Sequence, residues 1–377
     1  MRDKKVNLSG EKQKAIGVVF YDYSVKAGGQ RVAANVFNYL CGKGYRIIFI
    51  SVFSKNGTVS FELDGRISVF FLNDGEGHFR KVLRSSIKSF CEIVDRENIG
   101  VLLAEGFSAD MITAIVSKKR NIPFLHCEHT SLENKLYSDS LASKVYRYVG
   151  VCRSKAIIAL TEANKISFEN KYRSAKGKVV VIPNWVEKPD NAVTYNPDAY
   201  VILSIGRADP VKGYDRLIEV ASRIKAACVG WEWQIWGNFD NEYGQSIRQM
   251  IYEHELEDFV KLKGSTENVN EVYANSGLFV LTSYFEGLPM VLLEASVNRL
   301  PLLSFDIATG PNEIIVDGVN GYLINDADLE EMSDRIRGLV LNKNERIRLS
   351  ENSWISLTRF EKERVAEEWH QLLSKFV

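Results

Sequence analysis

The chain has 377 residues, of which 45% are hydrophobic and 25% charged; this composition is typical of globular proteins, and the length favours two domains. Its five cysteines are scattered and form no Cys-x-x-Cys pair, which argues against a disulfide framework and against a zinc site. No apolar run approaches the roughly 18 residues of a membrane-spanning helix, and the hydrophilic start contains no signal peptide, so we expect a cytoplasmic protein.

The net charge of zero conceals an asymmetry between the two halves of the chain. Residues 1–190 contain 30 Lys and Arg against 19 Asp and Glu, or +11, which leaves 18 against 29, or −11, for residues 191–377. The basic half is suited to anionic partners such as phospholipid head groups or a pyrophosphate-linked substrate, although ordinary solvated surface is the alternative. Nucleic acid is not expected as a partner, because no nucleic-acid-binding signature accompanies the charge.

Short apolar runs alternate with longer amphipathic ones, which predicts parallel sheets covered by helices. The predicted strands lie at 15–21, 46–53, 67–72, 100–105, 123–127, 155–160, 178–183, 200–206, 231–237, 259–264, 277–283, 301–306 and 321–326. The segment 187–200, with two prolines, is the best linker candidate. We therefore predict an α/β protein with two Rossmann-like, doubly wound domains at 1–187 and 188–357, and a final helix within 358–377 that packs on the first domain.

Ligands of doubly wound sheets bind at the loops that follow strands. No Gly-x-Gly-x-x-Gly motif follows a strand and no Walker loop is present, which disfavours a dinucleotide oxidoreductase and a P-loop kinase. Gly28 and Gly29 stand immediately before a predicted helix, where backbone N–H groups favour an anion, unless this is a plain strand-to-helix turn. Arg207 and Lys212 follow the first strand of the second domain, spaced to converge on one polyanion unless they are ordinary solvated cations.

The stretch after the predicted strand at 277–283 holds two glutamates eight positions apart. Glu286 lies in the predicted loop, Pro289 suits the first helical turn, and Glu294 lies about 7.5 Å further along the helix axis. A diphosphate bound at this helix start would leave Glu294 near an adjoining ribose and Glu286 near the group on the other phosphate. A nucleotide-sugar has its parts in that order, although a lone Glu in an apolar helix is more often capped or salt-bridged.

Several motifs in series resemble the family 4 retaining glycosyltransferases, whose fold is called GT-B. They are the E-x7-E pair with its Gly-Leu-Pro, the segments TGPNEI and DGVNG downstream of it, GRADPVKG at 206–213, and VIPNWVE at 181–187. The resemblance covers nearly the whole chain in the right order. The chain departs from the family at Pro311, where many members have a second glycine, and at Trp185, which replaces the glycine of a Pro-Asn-Gly hinge motif.

This resemblance implies roles for individual residues. Arg207 and Lys212 would neutralise the diphosphate as it leaves, Glu294 would hold the ribose hydroxyls, and Glu286 would contact hydroxyls of the transferred sugar. The donor-binding set is then Gly28, Gly29, Arg207, Lys212, Glu286, Gly287, Leu288, Pro289, Met290 and Glu294. The catalytic set is His129, Glu286, Arg207 and Lys212. The resemblance implies no metal and no other cofactor, since the nucleotide-sugar is itself a substrate.

His129 falls where the family often carries a histidine close to the donor sugar. His126 is the rival, although strand alternation places it inside a strand, and a purely structural loop histidine is the other alternative.

The function implied is transfer of a hexose or N-acetylhexosamine, preferably from a UDP-sugar, to a lipid-linked glycan in the synthesis of a bacterial surface polysaccharide. The basic and aromatic segments 78–94 and 142–155, the second with Lys144 and Arg147, suggest a peripheral site at the inner face of the cell membrane, or else ordinary helices packed on the sheet. The alternatives are a soluble acceptor, a nucleotide-sugar epimerase of the same fold, and a non-catalytic binding protein.

Overall fold

The computed structural model describes residues 13–55, 57–75, 79–134, 140–187 and 194–377. The chain forms two compact units. The first unit consists of Met1–Asn184 together with Glu363–Val377, and the second unit consists of Trp185–Lys362. The final helix therefore belongs with the first unit, and the divisions made from the sequence, after residues 187 and 357, differ from these by a few positions.

The first unit is built on a seven-stranded parallel sheet in the order β3-β2-β1-β4-β5-β6-β7. Its strands are β1 (Ala15–Asp22), β2 (Ile47–Phe53), β3 (Ser68–Phe71), β4 (Ile99–Glu105), β5 (Phe124–Glu128), β6 (Ala156–Ala159) and β7 (Val179–Val181). Its helices, within the described residues, are α1 (Gly28–Gly42), α2 (Phe79–Arg96), α3 (Phe107–Arg120), α4 (Leu141–Arg153) and α5 (Glu162–Lys171). β3 and β7 are partly exposed, because they are the edges of the sheet.

The second unit is built on a six-stranded parallel sheet in the order β10-β9-β8-β11-β12-β13. Its strands are β8 (Val201–Ile205), β9 (Glu232–Trp236), β10 (Val260–Gly264), β11 (Leu278–Leu281), β12 (Leu302–Asp306) and β13 (Gly321–Asn325). Its helices are α6 (Tyr214–Ile224), α7 (Glu242–Glu253), α8 (Val269–Ala274), α9 (Met290–Val297), α10 (Leu329–Leu341) and α11 (Lys343–Glu351). The last helix of the chain, α12 (Lys362–Leu373), belongs with the first unit from Glu363 onward. The predicted class, two doubly wound parallel sheets, is confirmed.

The strand orders locate one crevice in each unit. The order reverses between β1 and β4 in the first sheet and between β8 and β11 in the second. Loops that leave two neighbouring strands at such a reversal run in opposite directions and open a space at the carboxyl ends of the strands, which is where ligands of these sheets bind. Arg207 and Lys212 follow β8, and Glu286 follows β11, so these three residues lie at the reversal of the second sheet.

Two local predictions were wrong by a residue or two. α1 begins at Gly28, because the N–H of Arg31 already donates to the carbonyl of Ala27 in helical fashion; Gly28 and Gly29 therefore form the first turn instead of preceding it. Pro289 precedes α9 with an extended backbone (ψ 100°), and its carbonyl accepts from the N–H groups of Leu292 and Leu293. Both segments still lie at helix starts. In the described part of the chain, no helix is long and apolar enough to cross a membrane.

Candidate functional site

The loop that follows β11 is held against the turn that follows β8. The N–H of Tyr284 donates to the carbonyl of Val211 at 2.8 Å, and the hydroxyl of Thr282 donates to the carbonyl of Lys212 at 3.1 Å. Gly213 makes this close approach feasible, because its φ is +62° and a Cβ built there would lie 2.2 Å from the Thr282 carbonyl oxygen. The two loops of the crevice are thereby fixed relative to each other by backbone contacts.

This contact brings Lys212 and Glu286 together, although they are 74 positions apart in the chain. Nζ of Lys212 donates to Oε1 of Glu286 at 2.7 Å, and the hydroxyl of Ser283 donates to the same oxygen at 2.7 Å. Both charged side chains are partly buried, so the ion pair is only partly screened by water. The pair forms the centre of the candidate site.

Arg207 lies on the same turn but is more open to solvent. Its guanidinium bonds to Oδ2 of Asp209, from Nε at 3.1 Å and from Nη2 at 3.0 Å, and 60% of its side chain is exposed. Asp209 also accepts from the N–H of Val211 and so begins a short 3-10 helix, Pro210–Lys212. The guanidinium is thus anchored at one edge, and its remaining donors are available to an anion.

The loop after β12 supports the backbone of Glu286. The hydroxyl of Thr309 donates to the carbonyl of Glu286. Gly310 has a φ of +103°, and a Cβ there would lie 2.6 Å from Cδ of Pro289, so only glycine fits between the two loops. Pro311 then starts the 3-10 helix Pro311–Glu313, where its fixed φ is acceptable and its missing N–H costs nothing. The departure from the family pattern at this position is therefore compatible with the local backbone.

Glu294 lies one turn inside α9. The phenol of Tyr273 donates to its Oε2 at 2.9 Å, and the side-chain amide of Asn298 donates to its backbone carbonyl at 2.9 Å. The first turn of α9 carries no acidic residue, so the N–H groups and the positive end of the helix dipole are not neutralised from within that turn. Met290 begins the helix, and Gly287 and Leu288 lead into it.

In the first unit, His129 is bonded to a carboxylate. Glu105 pairs with Cys127 across the β4–β5 ladder, and Nε2 of His129 contacts both the Glu105 carboxylate and, at 3.5 Å, the Cys127 thiol. Burial lowers the pKa of His129, but Cys127 and Glu105 outweigh burial and hold that pKa well above its ordinary value. Burial raises the pKa of the Cys127 thiol to about 11.

The start of α1 approaches the same histidine. A Cβ built on Gly29 would lie 4.0 Å from Cγ of His129, whereas a Cβ built on Gly28 would meet nothing within 4 Å. Gly29 and His129 thus lie close together at the carboxyl end of the first sheet.

His126 occupies a different environment, inside β5. It is fully buried, its Nδ1 bonds to Asp110 at 2.8 Å, and its Nε2 lies 3.8 Å from Glu128. Glu128 in turn accepts from Nε of the buried Arg147 at 3.1 Å. The suggestion that Arg147 belongs to a membrane-facing surface was therefore wrong: its guanidinium is needed inside the unit to balance a buried carboxylate.

Three side chains of kinds that bind metal ions lie together here: the ligand atoms of Glu105, Cys127 and His129 are all within 4.8 Å of one another. Among the described residues there is no other such group of three. The direct Glu105–His129 hydrogen bond occupies one ligand atom of each residue, so the arrangement is that of a carboxylate–imidazole pair beside a neutral thiol.

Four supporting residues were missed by the sequence analysis. Glu105 could have been found, because it is a carboxylate at the end of a predicted strand. Ser283 and Thr309 stand close to Glu286 and Gly310 in motifs that were already recognised. Tyr273 gives no signal in the sequence, since an aromatic residue on an apolar helix face is ordinarily part of the core.

Two family models together match most of the chain: glycosyltransferase family 4 matches residues 27–188, and glycosyl transferases group 1 matches residues 187–354. An uncharacterized glycosyltransferase of Haemophilus influenzae is 26% identical over 96% of this chain and 100% of its own length. The amylovoran biosynthesis glycosyltransferase AmsD of Erwinia amylovora is 24% identical over 93% of this chain and 97% of its own.

The fold is also that of a solved relative with a bound ligand. The Anabaena protein Alr3699/HepE, in complex with UDP-glucose, superposes with a TM-score of 0.79 at 16% identity, covering 96% of this chain and 99% of the Anabaena chain. Such low identity supports the fold alone, whereas the two family models account for both halves of the sequence. The chain belongs to the family 4 glycosyltransferases and has their GT-B fold.

Proposed function

We propose that this protein transfers a hexose or N-acetylhexosamine from a UDP-sugar to a lipid-linked glycan during the synthesis of a surface polysaccharide, with retention of the anomeric configuration. The observation that carries the proposal is the cluster at the β8–β11 crevice, in which Lys212, Glu286 and the start of α9 lie together. The chain contributes to one site a cation, a carboxylate and the N–H groups of a helix start.

The cluster at the β8–β11 crevice offers a suitable group for each part of a nucleotide-sugar. Arg207, Lys212 and the N–H groups at the start of α9 suit the diphosphate, because cations and helix N-termini both favour phosphate oxygens. Glu294 suits the ribose hydroxyls, since a carboxylate accepts two hydrogen bonds from neighbouring donors. Glu286 suits the hydroxyls of the transferred sugar, and its bond to Ser283 keeps it in place.

The proposed reaction breaks the bond between the anomeric carbon and the diphosphate oxygen. Negative charge then accumulates on the leaving diphosphate, where Lys212 and Arg207 stabilise it more strongly than they stabilise the bound substrate. The acceptor hydroxyl forms the new bond from the face that the diphosphate leaves, and its proton passes to the departing phosphate oxygen. We retain His129 as the catalytic histidine that the family resemblance implies. No metal is required in this scheme, because the cations already present neutralise the diphosphate.

Two relatives support the finer points of donor and product. AmsD is named for amylovoran biosynthesis, and the Anabaena protein binds UDP-glucose, which favours a polysaccharide product and a UDP-linked donor for this chain too.

The membrane part of the proposal rests on α4. Leu141, Val145 and Tyr148 share one face of this helix and are 79%, 43% and 58% exposed. Lys144 is exposed beside them, and the helix contains no acidic residue. An apolar stripe with basic neighbours is suited to an anionic bilayer surface. α2, by contrast, packs Val82, Leu83 and Ile87 against the core of the first sheet and so behaves as an ordinary covering helix.

A thermal-shift panel of UDP, GDP, ADP and their sugars tests the donor. Selective stabilisation by UDP compounds is expected, because a ligand that binds only the folded state raises the melting temperature. Absence of a shift with every nucleotide would overturn the proposal. Transfer with EDTA present tests metal independence, and the anomeric configuration of the product tests retention. A new UDP-sugar formed from a UDP-sugar alone would instead identify an epimerase.

Flotation with liposomes tests the membrane surface. Wild-type protein should float with anionic lipid at low salt, and the double substitution Leu141→Ser with Tyr148→Ser should reduce the floated fraction severalfold. Tyr252→Ser, at a similarly exposed tyrosine of the second unit, is the matched control and should float like wild type. Equal flotation of all three proteins would rule out α4 as the lipid contact. Transfer to a soluble acceptor, with no transfer to a lipid-linked one, would rule out the lipid-linked acceptor.

A further inference from the structure

Tyr273 places a single polar atom in an apolar region of the second unit. It lies near the end of α8, is fully buried, and packs its ring near Phe279 with the centroids 6.1 Å apart. Its hydroxyl donates to Oε2 of Glu294 at 2.9 Å, while the carbonyl of Val291 is a more distant acceptor at 3.4 Å. An unpaired hydroxyl in this buried position would be costly, so the hydrogen bond from Tyr273 to Glu294 is strongly favoured.

Glu294 is otherwise an unusual residue for its helix. Its neighbours Leu292, Leu293, Ala295 and Val297 are all buried, and Glu294 is the acidic residue of α9. A glutamate side chain has several rotatable bonds, and fixing them costs conformational entropy when a ligand binds. A partner that already holds one carboxylate oxygen removes part of that cost before binding.

We propose that Tyr273 is a positioning residue that orients the Glu294 carboxylate and so sets how strongly the protein prefers a ribose with both hydroxyls. The inference rests on the proposed function, since it takes Glu294 to be the ribose contact. Tyr273 acts through Glu294 and does not touch the nucleotide. A phenol suits this role because it donates one hydrogen bond without neutralising the carboxylate, as an arginine or lysine would.

Calorimetric titration of the full-length protein with UDP and with 2′,3′-dideoxy-UDP tests the inference. Wild type should bind UDP more tightly than the dideoxy compound. Tyr273→Phe, which removes only the hydroxyl, should weaken UDP binding by about tenfold and leave dideoxy-UDP binding nearly unchanged, so the preference between the two ligands falls. Tyr243→Phe is the matched control, because its hydroxyl bonds to Asp215 and not to Glu294, and its preference should equal that of wild type.

A double-mutant cycle separates positioning from general damage. In the presence of Glu294→Ala, the further change Tyr273→Phe should have no effect on the preference between the two ligands, because the carboxylate that it orients is gone. An equal loss of affinity for both ligands in Tyr273→Phe would show a merely structural role and overturn the inference.

Two further results are decisive. If Tyr273→Phe melts too low to titrate, Glu294→Gln with Tyr273 intact replaces it. If Glu294→Gln keeps part of the preference for UDP and Glu294→Ala keeps none, orientation by the phenol is supported. An equal loss of preference in both variants overturns it. Failure of wild type to bind UDP at all would overturn the proposed function itself, whereas wild-type binding without a preference for UDP would overturn only the role of this pair.

Discussion

Lys212 and Glu286 are joined by an ion pair of 2.7 Å between Nζ and Oε1, across 74 positions of sequence. Lys212 follows β8 and Glu286 follows β11, so the contact joins the two loops at the crevice where the strand order of the second sheet reverses. The hydroxyl of Ser283 donates to the same carboxylate oxygen and so helps to hold Glu286 in position.

Replacing Lys212 should therefore damage catalysis more than it damages the fold. We expect Lys212→Ala to lower kcat/KM by at least about a hundredfold, roughly the effect of deleting one donor that stabilises a developing anion. Initial rates with the preferred UDP-sugar measure this. Lys225→Ala is the matched control, because Lys225 forms an exposed pair with Asp258 outside the crevice and its loss should leave the rate unchanged. Equal rates for Lys212→Ala and wild type would contradict the role of this cation.

The two glutamates should differ in what they bind. Glu294→Ala should weaken the binding of UDP more than Glu286→Ala does, because Glu294 is assigned to the ribose and Glu286 to the sugar beyond the diphosphate. Titration with UDP and with the UDP-sugar measures both. Glu286→Ala should lose affinity for the UDP-sugar while its affinity for UDP alone stays close to that of wild type. The reverse order of effects would show that the ends of the donor are assigned the wrong way round.

The sequence predicted the elements better than it predicted the contacts that fix the site. The alternation of apolar and amphipathic runs found every strand of both sheets, because buried parallel strands are continuous apolar segments. It also placed Arg207, Lys212 and Glu286 after strands. It could not reveal that Arg147 is buried beside Glu128, or that Tyr273 holds Glu294, since both depend on how distant helices pack.

Gly213 is expected to be indispensable to the loop arrangement. A Cβ there would meet the Thr282 carbonyl at 2.2 Å in a backbone with φ +62°, so Gly213→Ala should destabilise the second unit by about 2 kcal/mol or more and lower activity. Urea unfolding measures the free energy. Gly338→Ala is the control: that glycine lies inside α10 with nothing within 4 Å of the added carbon, and the change should stabilise by about 0.5–1 kcal/mol. Equal effects of the two changes would contradict the steric argument.

The buried pair Asp110 and His126 should make the free energy of unfolding depend on pH. Burial raises the pKa of Asp110 from 3.8 to about 6, and Oδ2 of Asp110 has no hydrogen-bond partner among the described residues. Burial lowers the pKa of His126, but Asp110 and Glu128 outweigh burial and raise it above 6.5. Both groups therefore bind their protons more tightly in the folded protein than in the unfolded chain, and the stability that they contribute is lost as pH rises.

The pH range follows from these directions. The contribution of Asp110 is full below pH 3.8 and is lost as pH rises through about 6, while that of His126 is full below 6.5 and is lost through its raised pKa. The pKa of Glu128 is lowered, because Arg147 and His126 outweigh the effect of burial, so its opposite contribution is complete above pH 4.5. Between pH 5 and pH 7.5 Asp110 and His126 both lose their contributions, and His129, whose pKa is also raised, acts in the same direction; stability should fall by about 1 kcal/mol or more.

Asp110→Asn isolates this effect, because asparagine resembles the protonated aspartate at every pH. Urea unfolding at pH 5 and pH 7.5 should show that wild type loses about 1 kcal/mol more than the variant over this interval. Asp258→Asn, at an exposed carboxylate paired with Lys225, should keep the wild-type dependence. If Asp110→Asn and wild type lose stability in parallel, the buried pair does not titrate in this range. A smaller loss in the variant alone assigns the pH dependence to the pair of Asp110 and His126, whose histidine lies in β5, three residues before His129.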